Sequence, residues 1–257
     1  MKLTKEFAEV LGMFAADGCL QDKYICMWGN MFEDKDYYDN FMCPLFSEVF
    51  GKKVIAHEKR SNSVYGFYVC DRKIIDAFRE IGFTKNKTYS VRAPKIVLES
   101  DKKELYSAFI RGFTDCDGCI SFMKRKGKYS EFKRKFNTYP RISIAVTSYN
   151  IIEDISFMLK KLDIKHTKYF VKRYRDNEKD TYQIFVRGEK RVEDWMKKIG
   201  FSNPSKQIKY NIWKKFGTCP PKISLEQKKL VLQDKIDPFT LSEISAPDST
   251  SRTAIPL

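Results

Sequence analysis

Histidine is almost missing from this chain: His57 and His166 are the only two. Cysteine is present but poorly arranged for metal. Only Cys116 and Cys119 stand at zinc-ligand spacing, and no second pair completes a four-ligand site. A structural zinc centre is therefore not expected. Cys19, Cys26, Cys43, Cys70, Cys116, Cys119 and Cys219 make an odd count and lie inside apolar runs. That argues for reduced thiols and an intracellular, reducing compartment, cytoplasmic or organellar. No run of about 20 apolar residues exists, so no membrane span is expected. The start, Met1-Lys-Leu-Thr-Lys-Glu-Phe, lacks the apolar core of a secretion signal.

Acidic residues are also scarce. Against 48 Lys and Arg stand 33 Asp and Glu, which leaves a net charge of +15 over 257 residues. The excess points to a polyanionic partner, nucleic acid before a membrane surface. With 42% hydrophobic residues the chain can build real cores, which excludes a disordered basic protein.

What is there is a repeat. Val10-Leu-Gly-Met-Phe-Ala-Ala-Asp-Gly18 returns as Ile110-Arg-Gly-Phe-Thr-Asp-Cys-Asp-Gly118. Two related motifs at domain-sized separation predict two similar halves. Phe7, Val10, Leu11 and Phe14, and later Leu105, Ala108, Phe109 and Phe113, recur at helical spacing. Each motif thus reads as a helix end, with Gly18 and Gly118 where a left-handed cap belongs. Gly12 and Ala16, like Gly112 and Cys116, are small residues on one helix face. They predict that the two motif helices pack closely, so that Asp17 and Asp117 emerge together. A carboxylate is disfavoured at a helix C-terminus, and two together more so. A divalent cation held by oxygen ligands resolves both problems.

The motif resembles that of the LAGLIDADG homing endonucleases in their single-chain, two-motif form. Gly112, Asp115, Asp117 and Gly118 all fit; the first copy departs at Leu11 and Ala15 but keeps Asp17. The resemblance implies an α+β fold. Two pseudo-two-fold-related αββαββα halves each carry a four-stranded antiparallel DNA-binding sheet, packed through the two motif helices. It implies Mg2+ or Mn2+ at a site formed by Asp17, Asp117, Gly18 and Gly118. It also implies that Asn30 and Ser148, at the ends of the second strands, surround the attacking water. Lys87 and Lys206 would line the centre, with Lys209 as alternative to Lys206.

The order of elements supports two halves, 1–95 and 96–217. Strands are expected at 23–30, 52–59 and 64–70, and helices at 33–50, kinked at Pro44, and 71–81. The second half repeats this order, with a helix at 151–162 capped by Asn150 and Glu153. Ile81-Gly-Phe-Thr-Lys-Asn-Lys87 mirrors Ile199-Gly-Phe-Ser-Asn-Pro-Ser-Lys206, closing each half. Residues 88–100 read as a linker, and 218–257 as an extension, partly helical and then mobile, with no assigned function.

Arg141, Ser143, Ala145 and Thr147 alternate with Ile142, Ile144 and Val146, the pattern of a strand with one polar face. Lys168, Lys172, Arg173, Arg175, Gln183 and Arg187 decorate the next hairpin. In the first half Lys23, Lys53, His57, Lys59, Arg60 and Tyr65 do likewise. Residues 123–140 form a basic, aromatic-interleaved loop with Lys126, Lys128, Arg134 and Lys135. Such faces suit double-stranded DNA, whose major groove admits a β-ribbon. The expected activity is a staggered double-strand break in a long DNA site by a monomer. The alternatives are an intron-RNA splicing cofactor (a maturase) and a non-catalytic regulator of the same fold. An intein is not expected, because the chain begins at Met1 and ends in Ile255-Pro-Leu without nucleophile or terminal Asn.

Overall fold

The structure, a computed structural model, describes residues 2–59, 63–124, 138–172, 179–244 and 255–256. The first half opens with helix α1 (Lys5–Asp17), whose N-terminal amide of Phe7 is capped by the Thr4 hydroxyl. Strands β1 (Gly18–Leu20) and β2 (Ile25–Asn30) follow, then helices α2 (Lys35–Tyr37) and α3 (Cys43–Phe50). Strands β3 (His57–Lys59) and β4 (Val64–Val69) lead to α4 (Arg72–Glu80), capped by Asp71. A short helix, α5 (Lys95–Leu98), lies in the connection. The second half runs α6 (Lys103–Asp117), β5 (Gly118–Met123), β6 (Tyr139–Val146), α7 (Tyr149–Lys161), β7 (Thr167–Val171), β8 (Thr181–Arg187), α8 (Glu189–Lys198). Helices α9 (Pro204–Phe216), α10 (Leu225–Leu232) and α11 (Pro238–Ile244) and a two-residue strand β9 (Ile255–Pro256) complete it.

The sheets have the same antiparallel order, β1-β2-β4-β3 and β5-β6-β8-β7. The pseudo-two-fold reading is thus correct. The second sheet gains a fifth strand, β9, beside Tyr169 and Phe170. Alternation decides which side each residue takes. Ile142, Ile144, Ile184 and Val186 point to the helices and are buried with Ile151, Ile155, Leu159 and Trp195. In the first half Phe14, Phe46, Phe67, Phe78 and Phe83 do the same, with Phe14 and Phe78 ring centroids 4.1 Å apart.

Several details differ from expectation. Gly18 (φ −69°) and Gly118 (φ −95°) are extended, not left-handed, because the chain passes from helix straight into strand. Glycine is needed there for space: a Cβ would sit 2.3 Å from the Phe14 ring or 2.2 Å from the Thr114 methyl. The capping residue of α7 is Ser148, not Asn150, and it makes no side-chain cap bond. Ahead of Pro44 the helix opens into a π turn over Tyr38–Met42, a wider turn of the kind that bends helices. Residues 88–100 are no free linker, since Arg92 and the Ala93 amide both bind the Asp154 carboxylate of the second half. In the extension, α10 packs on α9 and its buried Lys228 donates to Ser205 Oγ at 3.2 Å. Among the residues predicted in the basic loop, 125–137 lie outside the described residues, as do Arg60, Arg173 and Arg175.

The halves meet along α1 and α6. A Cβ on Gly12 would fall 2.0 Å from the Phe109 carbonyl oxygen, and one on Gly112 would fall 2.1 Å from that of Glu9. Neither oxygen is the tip of a flexible side chain, so a single methyl is enough to separate the helices. Gly112→Ala should therefore destabilise the protein by about 1–3 kcal/mol, the usual range for overpacking. The melting midpoint should fall by several degrees, as a thermal unfolding scan would read. An unchanged midpoint would refute the close helix contact.

Candidate active site

The two motif helices deliver Asp17 and Asp117 side by side at their C-terminal ends. Asp17 is half-buried and Asp117 reaches solvent. Burial in the cleft, followed by the Asp117 charge, pushes the Asp17 carboxyl up to about 7. Asp117 is raised as well, chiefly by desolvation, with Lys87 and Lys206 opposing. Cys116, the small residue expected at the interface, lies beside the Asp17 carboxylate and opposes the rise in its pKa.

Lys87 and Lys206 occupy equivalent places. Lys87 Nζ donates to the carbonyls of Ala15 and Ala16, the latter at 3.0 Å. Lys206 Nζ donates to those of Thr114 and Asp115, both at 2.6 Å. Each ammonium therefore closes the C-terminus of one motif helix, where the partial charge is negative. The cations neutralise the helix ends and leave the two carboxylates' oxygens available. Among the described residues no group of three His, Cys, Asp or Glu could hold a metal. Two carboxylates remain, the hard-oxygen donor set that suits magnesium completed by substrate phosphates.

Two predicted residues are placed elsewhere. Ser148 is fully buried and donates to the Val91 carbonyl at 2.8 Å, so it holds the connection between halves and does not face the acids. Asn30 is exposed, and its Oδ1 accepts from the Phe32 and Glu33 amides at 2.8 and 3.1 Å. It builds the turn after β2. Lys209 lies near Lys228 and Cys219.

Two contributors, Asp34 and Asn203, escape sequence reading, and a third, Asp115, is visible there only as a motif match. Asp34 stands close enough to Asp17 to raise its pKa. Asn203 is buried, caps α9 through its Oδ1, and donates at 3.3 Å both to Asp34 Oδ1 and to the Asp115 carbonyl. Asp115 accepts from the Ser202 amide at 2.7 Å, and burial pushes its carboxyl up to about 7. Behind them Arg111 clamps Glu9 from the other helix through Nε and a terminal nitrogen, while Ser202 Oγ donates to the same Glu9 at 2.7 Å. The only signal was Asp115 itself, which fits the motif. Asp34 and Asn203 sit in turns and reach the site through tertiary contact alone.

Each sheet turns its other face to solvent. On the second, Arg141, Ser143, Gln183 and Arg187 point outward, as expected, and Ser121 joins them. Lys168 does not. It lies on the helix side, paired with Glu153 of α7. Lys172 is exposed just past β7. On the first sheet, Trp28, His57, Lys59 and Tyr68 face outward, and Lys23 and Lys53 are exposed in loops. Tyr65 faces the core instead and donates to Asp39 at 2.6 Å.

A family model described as a LAGLIDADG-like domain matches residues 104–200. The glutamine–fructose-6-phosphate aminotransferase of Methanocaldococcus jannaschii is 26% identical over 207 residues, 80% of this chain and 17% of that protein. The replicative DNA helicase DnaB of Rhodothermus marinus is 24% identical over 209 residues, 77% of this chain and 20% of that protein. The chain thus spans no more than a fifth of these relatives' length. The meganuclease I-SmaMI, in a structure bound to uncleaveable DNA, superposes with a TM-score of 0.53 at 12% identity. The match covers 96% of this chain and 98% of that one, so one fold is shared across both halves. Residues 104–200 thus match a LAGLIDADG-like domain, the motif recurs in the first half, and both halves together share the fold of I-SmaMI.

Proposed function

We propose that this protein is a site-specific homing endonuclease that makes a staggered double-strand break in a long DNA target by divalent-metal-dependent hydrolysis. The observation that carries this reading is the pairing of Asp17 and Asp117 between two sheets with outward polar and cationic faces. I-SmaMI, which shares the fold, is a meganuclease captured on DNA. An aminotransferase and a helicase, proteins of unrelated activity, both match this chain over a fifth or less of their length, which argues against either activity as the function of this segment.

Asp17 and Asp117 are the residues that would hold magnesium or manganese. A bound ion supplies Lewis acidity, lowering the pKa of water and offsetting charge on the leaving oxygen. The chain's own residues do the rest. The two sheets position the duplex through its grooves and phosphates. Lys87 and Lys206 fix the helix ends, orient the acids and add positive field beside the scissile phosphates. Asn203 holds Asp34 and the end of α6 in register. Both half-sites are met by one chain, so a monomer suffices. Incubation with a randomised duplex library in magnesium, followed by sequencing of cut products, tests the reading directly.

Asp17→Asn and Asp117→Asn should each abolish double-strand cleavage while binding to the selected duplex persists. Removing charge from a crowded anionic site costs metal, not fold. Full cleavage by either variant at physiological magnesium would sink the assignment.

Lys87→Met and Lys206→Met should each leave helix-end carbonyls without their donor. A buried unpaired polar group costs about 1–3 kcal/mol. Melting midpoints should drop by a few degrees and cleavage should fall more than binding. A parental midpoint together with parental cleavage would mean that these ammonium groups do not hold the centre.

A further inference from the structure

The outward face of the second sheet carries an arrangement that its positive charge alone does not require. Arg141 on β6 and Arg187 on β8 are direct cross-strand partners. Both guanidinium groups lie over the Phe185 ring, at 5.1 and 4.3 Å from its centroid. Phe185 points away from the core, yet only 8% of it is exposed. Arg187 also covers Tyr169 at 4.9 Å and donates to its hydroxyl at 3.0 Å. Arg141 Nε donates to Ser121 Oγ at 3.3 Å.

Two like charges held together in this way repel, and burial together with Arg187 lowers the Arg141 pKa. No carboxylate among the described residues appears among the partners of either guanidinium. Other surface cations of the chain, such as Lys52, Lys85 and Lys214, are paired with acids. The guanidinium groups lie over aromatic rings and each is hydrogen-bonded to a neighbouring strand, so their freedom is restricted before any ligand arrives. One N–H of each is tied to the sheet, and the remaining N–H groups keep the fork geometry that lysine lacks.

We propose that Arg141 and Arg187 are specificity-determining residues that read guanine bases in the half-site covered by the second sheet. The inference rests on the endonuclease reading above. Arginine bidentate to guanine O6 and N7 is the commonest specific contact in the major groove. A planar fork suits phosphate as well; what favours bases here is position, because both arginines stand on β6 and β8, inner strands of the sheet and not its edges. The described strands of the first sheet contain no arginine, and its outward face carries Trp28, His57 and Tyr68 in edge-to-face contact, with Lys59 over Trp28. Among the described residues an arginine pair of this kind therefore stands in the second sheet and not in the first. Gly118 pairs with Ile144 and Ser121 with Arg141, which puts the pair about 10 Å along the strand from Gly118, the residue after the motif acid. That is the length of about three base pairs.

The test uses the full chain and selection of bound duplexes from a randomised library, in calcium to separate binding from cutting. The parent protein should select guanine at one or two positions of a single half-site, about three base pairs from the centre. Arg141→Lys and Arg187→Lys keep the charge but remove the fork. Each should reduce the preference for guanine at its position by roughly tenfold, with the melting midpoint and the salt dependence of binding unchanged. Parental sites without guanine there, or lysine variants that retain the preference, would overturn the inference while the endonuclease reading stands. Failure to select any duplex would instead remove both.

Discussion

Everything in this molecule depends on how near two helices come. At Gly12 and Gly112 the backbones of α1 and α6 approach until there is no room for one carbon atom. That contact makes two halves into one body and brings two acids to one place. It also brings together two helix C-termini and their negative partial charges. The electrostatic cost is offset locally, because Lys87 and Lys206 each reach back to carbonyls of a motif helix. The acids are thus left under strain of charge, which a bound cation would relieve.

The pseudo-symmetry is broken in an informative way. Glu9 on α1 has Phe109 as its counterpart on α6. Leu11 answers to Arg111, and Ala15 to Asp115. One flank of the helix pair is therefore polar and buried, and the other is apolar. The Glu9–Arg111 pair joins both helices and, through Ser202 and Ile199, the chain after α8. Breaking one side of a buried pair costs about 3–5 kcal/mol, so such a network fixes register strongly even where it adds little net stability. The extension continues this asymmetry. Lys228 contacts Ser205 beside the Asn203 cap, and Lys229 lies 3.5 Å from Asp36 of the first half.

The parts of the site that were legible are those carried by a local pattern. Asp17 and Asp117 follow small-residue helix faces, and Lys87 and Lys206 close two segments that match in sequence. Ser148 was misread because position after a strand does not reveal whether a hydroxyl turns inward. Here it meets the Val91 carbonyl and is buried. Lys168 was misread for a related reason. In Thr-Lys-Tyr-Phe-Val of β7 both alternating sets contain an apolar residue, so parity is undetermined. In β6 the isoleucines settle parity at once, and Arg141 and Ser143 were assigned correctly.

By itself the sequence determined the two halves, their order of elements, the identity of the paired acids and the cationic character of the partner surface. These follow from periodicity, repetition and composition, which act over a few residues. Tertiary structure alone decided that Asn203 bridges α6 to Asp34 and that Asp115 is buried under Ser202. It also set Arg141 and Arg187 against a shared Phe185 ring. Those contacts join residues far apart in the chain, and their energies depend on distances that no local pattern encodes.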